Sequence, residues 1–121
     1  MAQKIFLIED DAMLREMYET KLKAEGYELK TAEDGGEGLR IAQTEQFDLI
    51  LLDIMLPLLD GFSILEELKA KPETAKTPVV MLTNLGTDED RAKGEKLGAV
   101  DYLVKANMTP EQLVTAIKKY L

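Results

Sequence analysis

Three short, solidly apolar runs are spaced widely along the chain, each too short for a core helix and each stopped by a polar residue. Ile5-Phe6-Leu7-Ile8 is bounded by charge and β-branched at both ends, and Asp48 to Leu52 carries an uninterrupted Leu-Ile-Leu-Leu that stops at Asp53. Pro78 to Leu82 repeats the pattern, and Val100 to Val104, with Asp101 inside it, reads as a fifth strand. Aliphatic runs that do not alternate with polar residues suit strands buried on both faces, as in a parallel sheet. Glu28 to Ala32 is a weaker further strand.

Between the strands the apolar period becomes helical. Leu14, Met17, Tyr18 and Leu22 predict a helix to about residue 25, and Gly26 suits its left-handed C-terminal position. Asp34 can cap a helix that carries Leu39 and Ile41 to about Thr44, although Gly36 and Gly38 each cost it about 1 kcal/mol relative to Ala. Phe62, Ile64, Leu65 and Leu68 mark a third helix, closed before Pro72. Thr87-Asp88-Glu89-Asp90 resembles a capping box opening a fourth that ends near Gly98. Only Ala92 and Leu97 are obvious apolar anchors there, so this helix is expected to shift cheaply. Thr109-Pro110-Glu111-Gln112 supplies an N-cap, a first-turn Pro and a capping-box Gln for a fifth, with Leu113, Val114, Ile117, Tyr120 and Leu121 on its buried side. Strands alternating with helices imply a doubly wound α/β domain, since each parallel connection needs a crossover. The 121 residues show no repeat and no linker, and 1–121 reads as one domain.

Composition narrows the chemistry. With 15 Lys and Arg against 23 Asp and Glu, the net charge of −8 repels phosphate backbones and anionic lipid, so direct nucleic-acid binding is not expected. Cys and His are absent, which removes thiol nucleophiles, disulfides, Cys/His zinc sites and His-dependent triads. Carboxylates, Lys, Thr, Tyr and a hard metal remain. No apolar run approaches the roughly 20 residues of a membrane helix, and the first stops at Glu9, so a cytoplasmic protein is expected.

In doubly wound sheets, ligands bind outside the carboxyl ends of the strands. There the chain places Glu9-Asp10-Asp11, Asp53, Thr83-Asn84 and Lys105. If the first and third strands are neighbours, several carboxylates converge, and such crowding calls for a cation. All-oxygen donors suit Mg²⁺. Taken singly, Asp10 or Asp11 could equally cap the first helix, Lys105 could be an edge lysine with its head in water, and Thr83 and Tyr102 could be ordinary strand residues. Asp53 is harder to dismiss, because a carboxylate after four buried aliphatics costs desolvation energy.

The stretches KIFLIEDD, DLILLDIMLPLLDGF, VVMLTN and GAVDYLVK, in this order and spacing, resemble the receiver domain of two-component response regulators across the whole chain, in particular the single-domain chemotaxis type. The resemblance implies the flavodoxin-like strand order 2-1-3-4-5. It makes Asp53 the phosphoryl acceptor, Asp10 a direct Mg²⁺ ligand, Glu9 its acidic partner acting through water, and Met55 the donor of a backbone carbonyl to the metal. Lys105 would pair with the phosphoryl group, Thr83 would turn toward it, and Tyr102 would be the aromatic switch residue. Met55 and Leu85 would occupy the positions that tune dephosphorylation.

The implied function is a signalling domain rather than an enzyme. It takes a phosphoryl group from a histidine kinase or histidine phosphotransfer protein in a Mg²⁺-dependent reaction. It then switches the face of its fourth helix, fifth strand and fifth helix to control a partner protein. The chemistry fits independently, since phosphoryl transfer needs an ionised carboxylate, a metal and a fixed cation. Two positions depart from the family pattern. Ala106 replaces the usual Pro after the lysine, leaving the Lys105–Ala106 bond either trans with a reshaped loop or cis at a cost of about 2.5–4 kcal/mol. Asn84 is bulkier than usual and would either narrow access to Asp53 or hydrogen-bond the phosphoryl group.

Rival chemistries fit less well. A flavin carrier needs a hydroxyl-rich phosphate loop where Glu9-Asp10-Asp11 stands, a dehalogenase-type phosphatase needs an acid at Met55, and no P-loop segment exists. The remaining alternatives are a receiver-shaped interaction module that does not use phosphorylation, and a receiver excised from a multidomain regulator.

Overall fold

Every apolar run is a strand in the computed structural model, which describes residues 2–84 and 86–121. The strands β1 (Lys4–Ile8), β2 (Glu28–Ala32), β3 (Leu49–Asp53), β4 (Val79–Thr83) and β5 (Asp101–Val104) form one parallel sheet in the order β2-β1-β3-β4-β5. The doubly wound fold and its 2-1-3-4-5 order are therefore as expected. In the register, Ile8 pairs with both Ala32 and Leu52, Asp53 with Leu82, and Thr83 with Val104.

Helices α1 (Ala12–Ala24), α2 (Gly35–Thr44), α3 (Gly61–Ala70), α5 (Asp88–Leu97) and α6 (Pro110–Ile117) follow the predicted order, with one short helix, α4 (Pro72–Ala75), interposed. Their starts are chemically marked. Asp11, Asp34, Asp60, Thr87 and Thr109 each accept a first-turn backbone N–H, and Gln112 completes the capping box of α6 by accepting from the Thr109 N–H. Gly26 and Gly98 adopt positive φ after α1 and α5.

The sheet separates two apolar layers, because successive strand side chains point to opposite faces. Ile5, Leu7, Leu49, Leu51, Val80 and Leu82 pack with Tyr18 and Leu22 of α1 and with Leu113, Val114 and Ile117 of α6. On the other face, Phe6, Ile8, Ile50, Leu52, Val79 and Met81 pack against α2 and α3.

Some local expectations need correction. Pro72 does not merely stop α3; it opens α4, since its missing N–H is harmless at a first helical position. The new turn is held by Lys69 Nζ, which donates to the Ala75 and Thr77 carbonyls at 2.9 Å each. Met17, expected on the buried stripe of α1, is 42% exposed. On α5, Ala92 is exposed, Leu97 only half-buried, and Gly94 buried. Leu97 still packs on the core, and cations add to the docking of that helix. Lys93 Nζ lies 4.6 Å from the centre of the Phe62 ring and the Arg91 guanidinium 5.1 Å from that of Tyr102. The Lys105–Ala106 bond is trans, and Lys105–Asn107 forms a 3₁₀ turn.

Candidate functional site

The pairing of Ile8 with Leu52 sets the next residues, Glu9 and Asp53, side by side at the carboxyl edge of the sheet. Both are buried, and Lys105 reaches across from the end of β5 to join them. Its Nζ donates to Glu9 Oε2 at 2.7 Å and to Asp53 Oδ2 at 3.1 Å, with its side chain only 3% exposed. The reading of Lys105 as an edge lysine in water is thereby excluded. The other carboxylate oxygens are also held, since the Asp11 N–H donates to Glu9 Oε1 and the Met55 N–H to Asp53 Oδ1, each at 3.2 Å.

Asp10 is exposed beside this pair, and one carboxylate oxygen from each of Glu9, Asp10 and Asp53 lies within 4.8 Å of the others. Asp11, by contrast, caps α1 through the Leu14 N–H. Three carboxylates against one ammonium leave two negative charges when all are ionised, and every donor is a hard oxygen. A small divalent cation fits that set.

Electrostatics single out Glu9. Its pKa stands raised from 4.5 to about 7, because burial pushes it up most strongly and the Asp53 charge adds to that, while the Lys105 hydrogen bond pulls it down. For Lys105, burial works against the charged form, but hydrogen bonds and charge from Glu9 and Asp53 outweigh it and raise its pKa.

Thr83 is buried at the end of β4, beyond the Asp53–Leu82 pair. Tyr102, opposite Met81 on β5, is buried with its ring beneath Arg91. Burial raises its pKa, and the Thr83 side chain acts in the opposite sense, so the two side chains share one environment. Met55 lies at the rim, 74% exposed. Asn84 is exposed, and Leu85 lies outside the described residues.

Two contributors are not evident from residue type. A Cβ on Gly61 would collide with the Asp53 carbonyl and the Ile54 Cα, so the acidic strand end needs glycine there; a Gly directly after the capping Asp60 was the available signal. Arg15, one turn beyond the Asp11 cap, donates to the Glu9 carbonyl at 2.9 Å. Its spacing from the cap could have marked it.

Residues 5–118 match the family model described as the response regulator receiver domain. A Cyanophora paradoxa protein named "Probable transcriptional regulator ycf27" is 41% identical over 119 residues, covering 98% of this chain and 48% of that relative. The Myxococcus xanthus gliding motility regulatory protein is 37% identical over 96% of this chain and 15% of its own length. The chain thus spans about half the length of the ycf27 relatives it matches. Among solved structures, the Vibrio cholerae chemotaxis protein CheY4 superposes with a TM-score of 0.93 at 32% identity, covering all of both chains. The receiver domain of a Pseudomonas aeruginosa sensor histidine kinase, solved with magnesium coordinated in its active-site cleft, gives 0.89 at 30% identity over 99% of this chain and 98% of that one.

Proposed function

The chain belongs to the response regulator receiver family, and on the geometry of its acidic cluster we propose that Asp53 is the phosphoryl acceptor of this two-component receiver domain. The observation that carries this reading is the Lys105 ammonium bridging Glu9 and Asp53 at the carboxyl ends of β1 and β3. An Asp53 carboxylate oxygen attacks the phosphorus, a P–O bond forms, and the P–N bond to the donor imidazole breaks; the bond's electron pair returns to that ring nitrogen, and with the proton already on the other ring nitrogen the imidazole leaves neutral. The chain contains no His, so the donor lies outside these residues, another protein or a small acyl phosphate, and the family reading points to a histidine kinase or histidine phosphotransfer protein.

Asp10, Asp53 and the Met55 carbonyl would hold Mg²⁺, with Glu9 acting through water. The bound ion supplies charge neutralisation at the phosphoryl oxygens. Lys105 compensates the same charge from the protein side, and Thr83 and Tyr102 relay its arrival to the face formed by α5, β5 and α6. This is the face first counted as the fourth helix, fifth strand and fifth helix, and we take it as the surface for a downstream protein. Residues 1–121 form the single domain that carries this site.

The net charge of −8 opposes direct DNA contact by this domain. If a longer protein carries it, as in the ycf27 relatives, DNA would be bound by other residues. Among the described residues no helix is long and apolar enough to cross a membrane, and we place the domain in the cytoplasm, acting as a signalling module rather than an enzyme.

Labelling with a small acyl phosphate, with and without Mg²⁺, tests the assignment. One phosphoryl group per chain is expected only with Mg²⁺ and only with Asp53 intact. Labelling that survives Asp53→Asn overturns it, and a wild type that accepts no phosphoryl group would favour the phosphorylation-independent module.

A further inference from the structure

The Arg15 guanidinium ties together the two loops that frame the acidic cluster. Its Nη1 donates to the Glu9 carbonyl at 2.9 Å and reaches the Asp10 carbonyl at 3.5 Å, while Nη2 lies 3.4 Å from Glu33 Oε2, one residue beyond β2. The Arg15 side chain is 19% exposed and Glu33 68%, so the bond to the Glu9 carbonyl is the sheltered part of this contact. Glu9 is held from its other side as well, its N–H donating to the Ala32 carbonyl at 3.1 Å. The backbone of Glu9 is thus clamped between β2 and the first turn of α1, whose cap Asp11 accepts the Arg15 N–H at 2.9 Å.

This clamp acts on backbone atoms, while the carboxylates of Glu9 and Asp10 do the converging. The two side chains leave adjacent residues, one buried and one exposed, and the peptide between them sets how far apart their oxygens stand. We propose that Arg15 is a positioning residue for the divalent cation. It fixes the Glu9–Asp10 peptide so that Asp10 meets the ion directly and Glu9 through water, without itself touching that ion. The proposal rests on reading the cluster as a Mg²⁺ site, and groups that orient metal ligands commonly contribute 10- to 100-fold in affinity, by order of magnitude roughly.

The sign of the effect separates this role from mere proximity. A guanidinium near three acids repels a second cation, so if Arg15 were only a neighbouring charge, its removal would tighten Mg²⁺ binding. If it is a clamp, removal weakens binding despite the lost repulsion. The experiment is a calorimetric Mg²⁺ titration of wild type, Arg15→Met and Arg15→Lys, each well below its melting temperature, with melting in EDTA recorded separately.

The expected result is a Kd raised about tenfold or more in Arg15→Met. Arg15→Lys should recover part of the loss, since an ammonium can reach one carbonyl but cannot bridge to Glu33 as well. Unchanged or tighter binding in Arg15→Met overturns the positioning role alone. A wild type that does not bind Mg²⁺ overturns the metal site and this role with it, so the two failures are distinguishable.

Discussion

Lys105 Nζ lies 2.7 Å from Glu9 Oε2 although 96 residues separate them in the chain, and both side chains are almost fully withdrawn from water. Such a pair is sustained only by mutual compensation, because each charge has lost its hydration. Removing one partner of a buried pair commonly costs about 3–5 kcal/mol. Glu9 has an escape, since it can take a proton near pH 7. Lys105→Met is therefore expected to destabilise the metal-free protein by about 2–4 kcal/mol near neutral pH and above, and by clearly less in mild acid. Urea unfolding in EDTA across that range measures the difference, and an equal loss at every pH would contradict it.

The raised pKa of Glu9 also sets a pH dependence for the intact protein. Between about 4.5, the ordinary value, and about 7, the folded state holds a proton that the unfolded chain has released. Stability contributed by this group is thus complete in acid and is lost as pH rises through that window. Mg²⁺ competes for the same carboxylate, so its apparent affinity should rise with pH up to about 7 and then level off. Titrations with Mg²⁺ at several pH values check the slope, which Glu9→Gln should flatten.

Two glycines should respond in opposite directions to the same substitution. At Gly94, mid-helix in α5, a Cβ would make ordinary contacts with Met81 and Tyr102 at 3.6 Å and with Phe62 at 3.8 Å. Gly94→Ala should therefore stabilise the fold by about 1 kcal/mol. At Gly61 a Cβ would run into the Asp53 carbonyl, and backbone must move to admit it. Gly61→Ala should destabilise by about 1–3 kcal/mol and displace Asp53. Thermal melts of both variants, with Mg²⁺ binding for the second, decide the matter.

If Asp53 is the acceptor, as proposed, the residues beside it would govern how long the phosphoryl group lasts. Met55 is exposed at the rim, and its thioether gives an attacking water almost no hydrogen bond. Met55→Asn offers an amide at that place and should speed loss of phosphate several-fold without preventing phosphorylation. Replacing Leu85 by Glu or Gln carries the same expectation from the sequence reading. Decay of labelled protein after removal of the donor gives the rates. Fast decay in the wild type, unaltered by Met55→Asn, would assign the water to another residue.

Much of the architecture was legible locally. Thr109-Pro110-Glu111-Gln112 forms the capping box it spells, Asp34 caps α2, Gly26 takes positive φ, and each aliphatic run is a strand. Period, capping and left-handed turns depend on residues within a few positions of one another, so the chain specifies them before any long-range contact forms. The polar residues at strand ends were legible for the same reason, because Glu9, Asp53, Thr83 and Lys105 each end or follow an apolar run. Their meeting was legible only through the family resemblance and not from the residue pattern. The sheet order brings Glu9 beside Asp53, and the path after β5 delivers Lys105 between them. Pattern alone could not decide this, since every permutation of buried parallel strands satisfies the same hydrophobic runs. The docking of α5 on Arg91 and Lys93, and the hold of Arg15 on the Glu9 carbonyl, belong with it. A cation's partner is set by which surfaces the fold lays together, and a charged residue reads the same in sequence whether it ends in water or in the core.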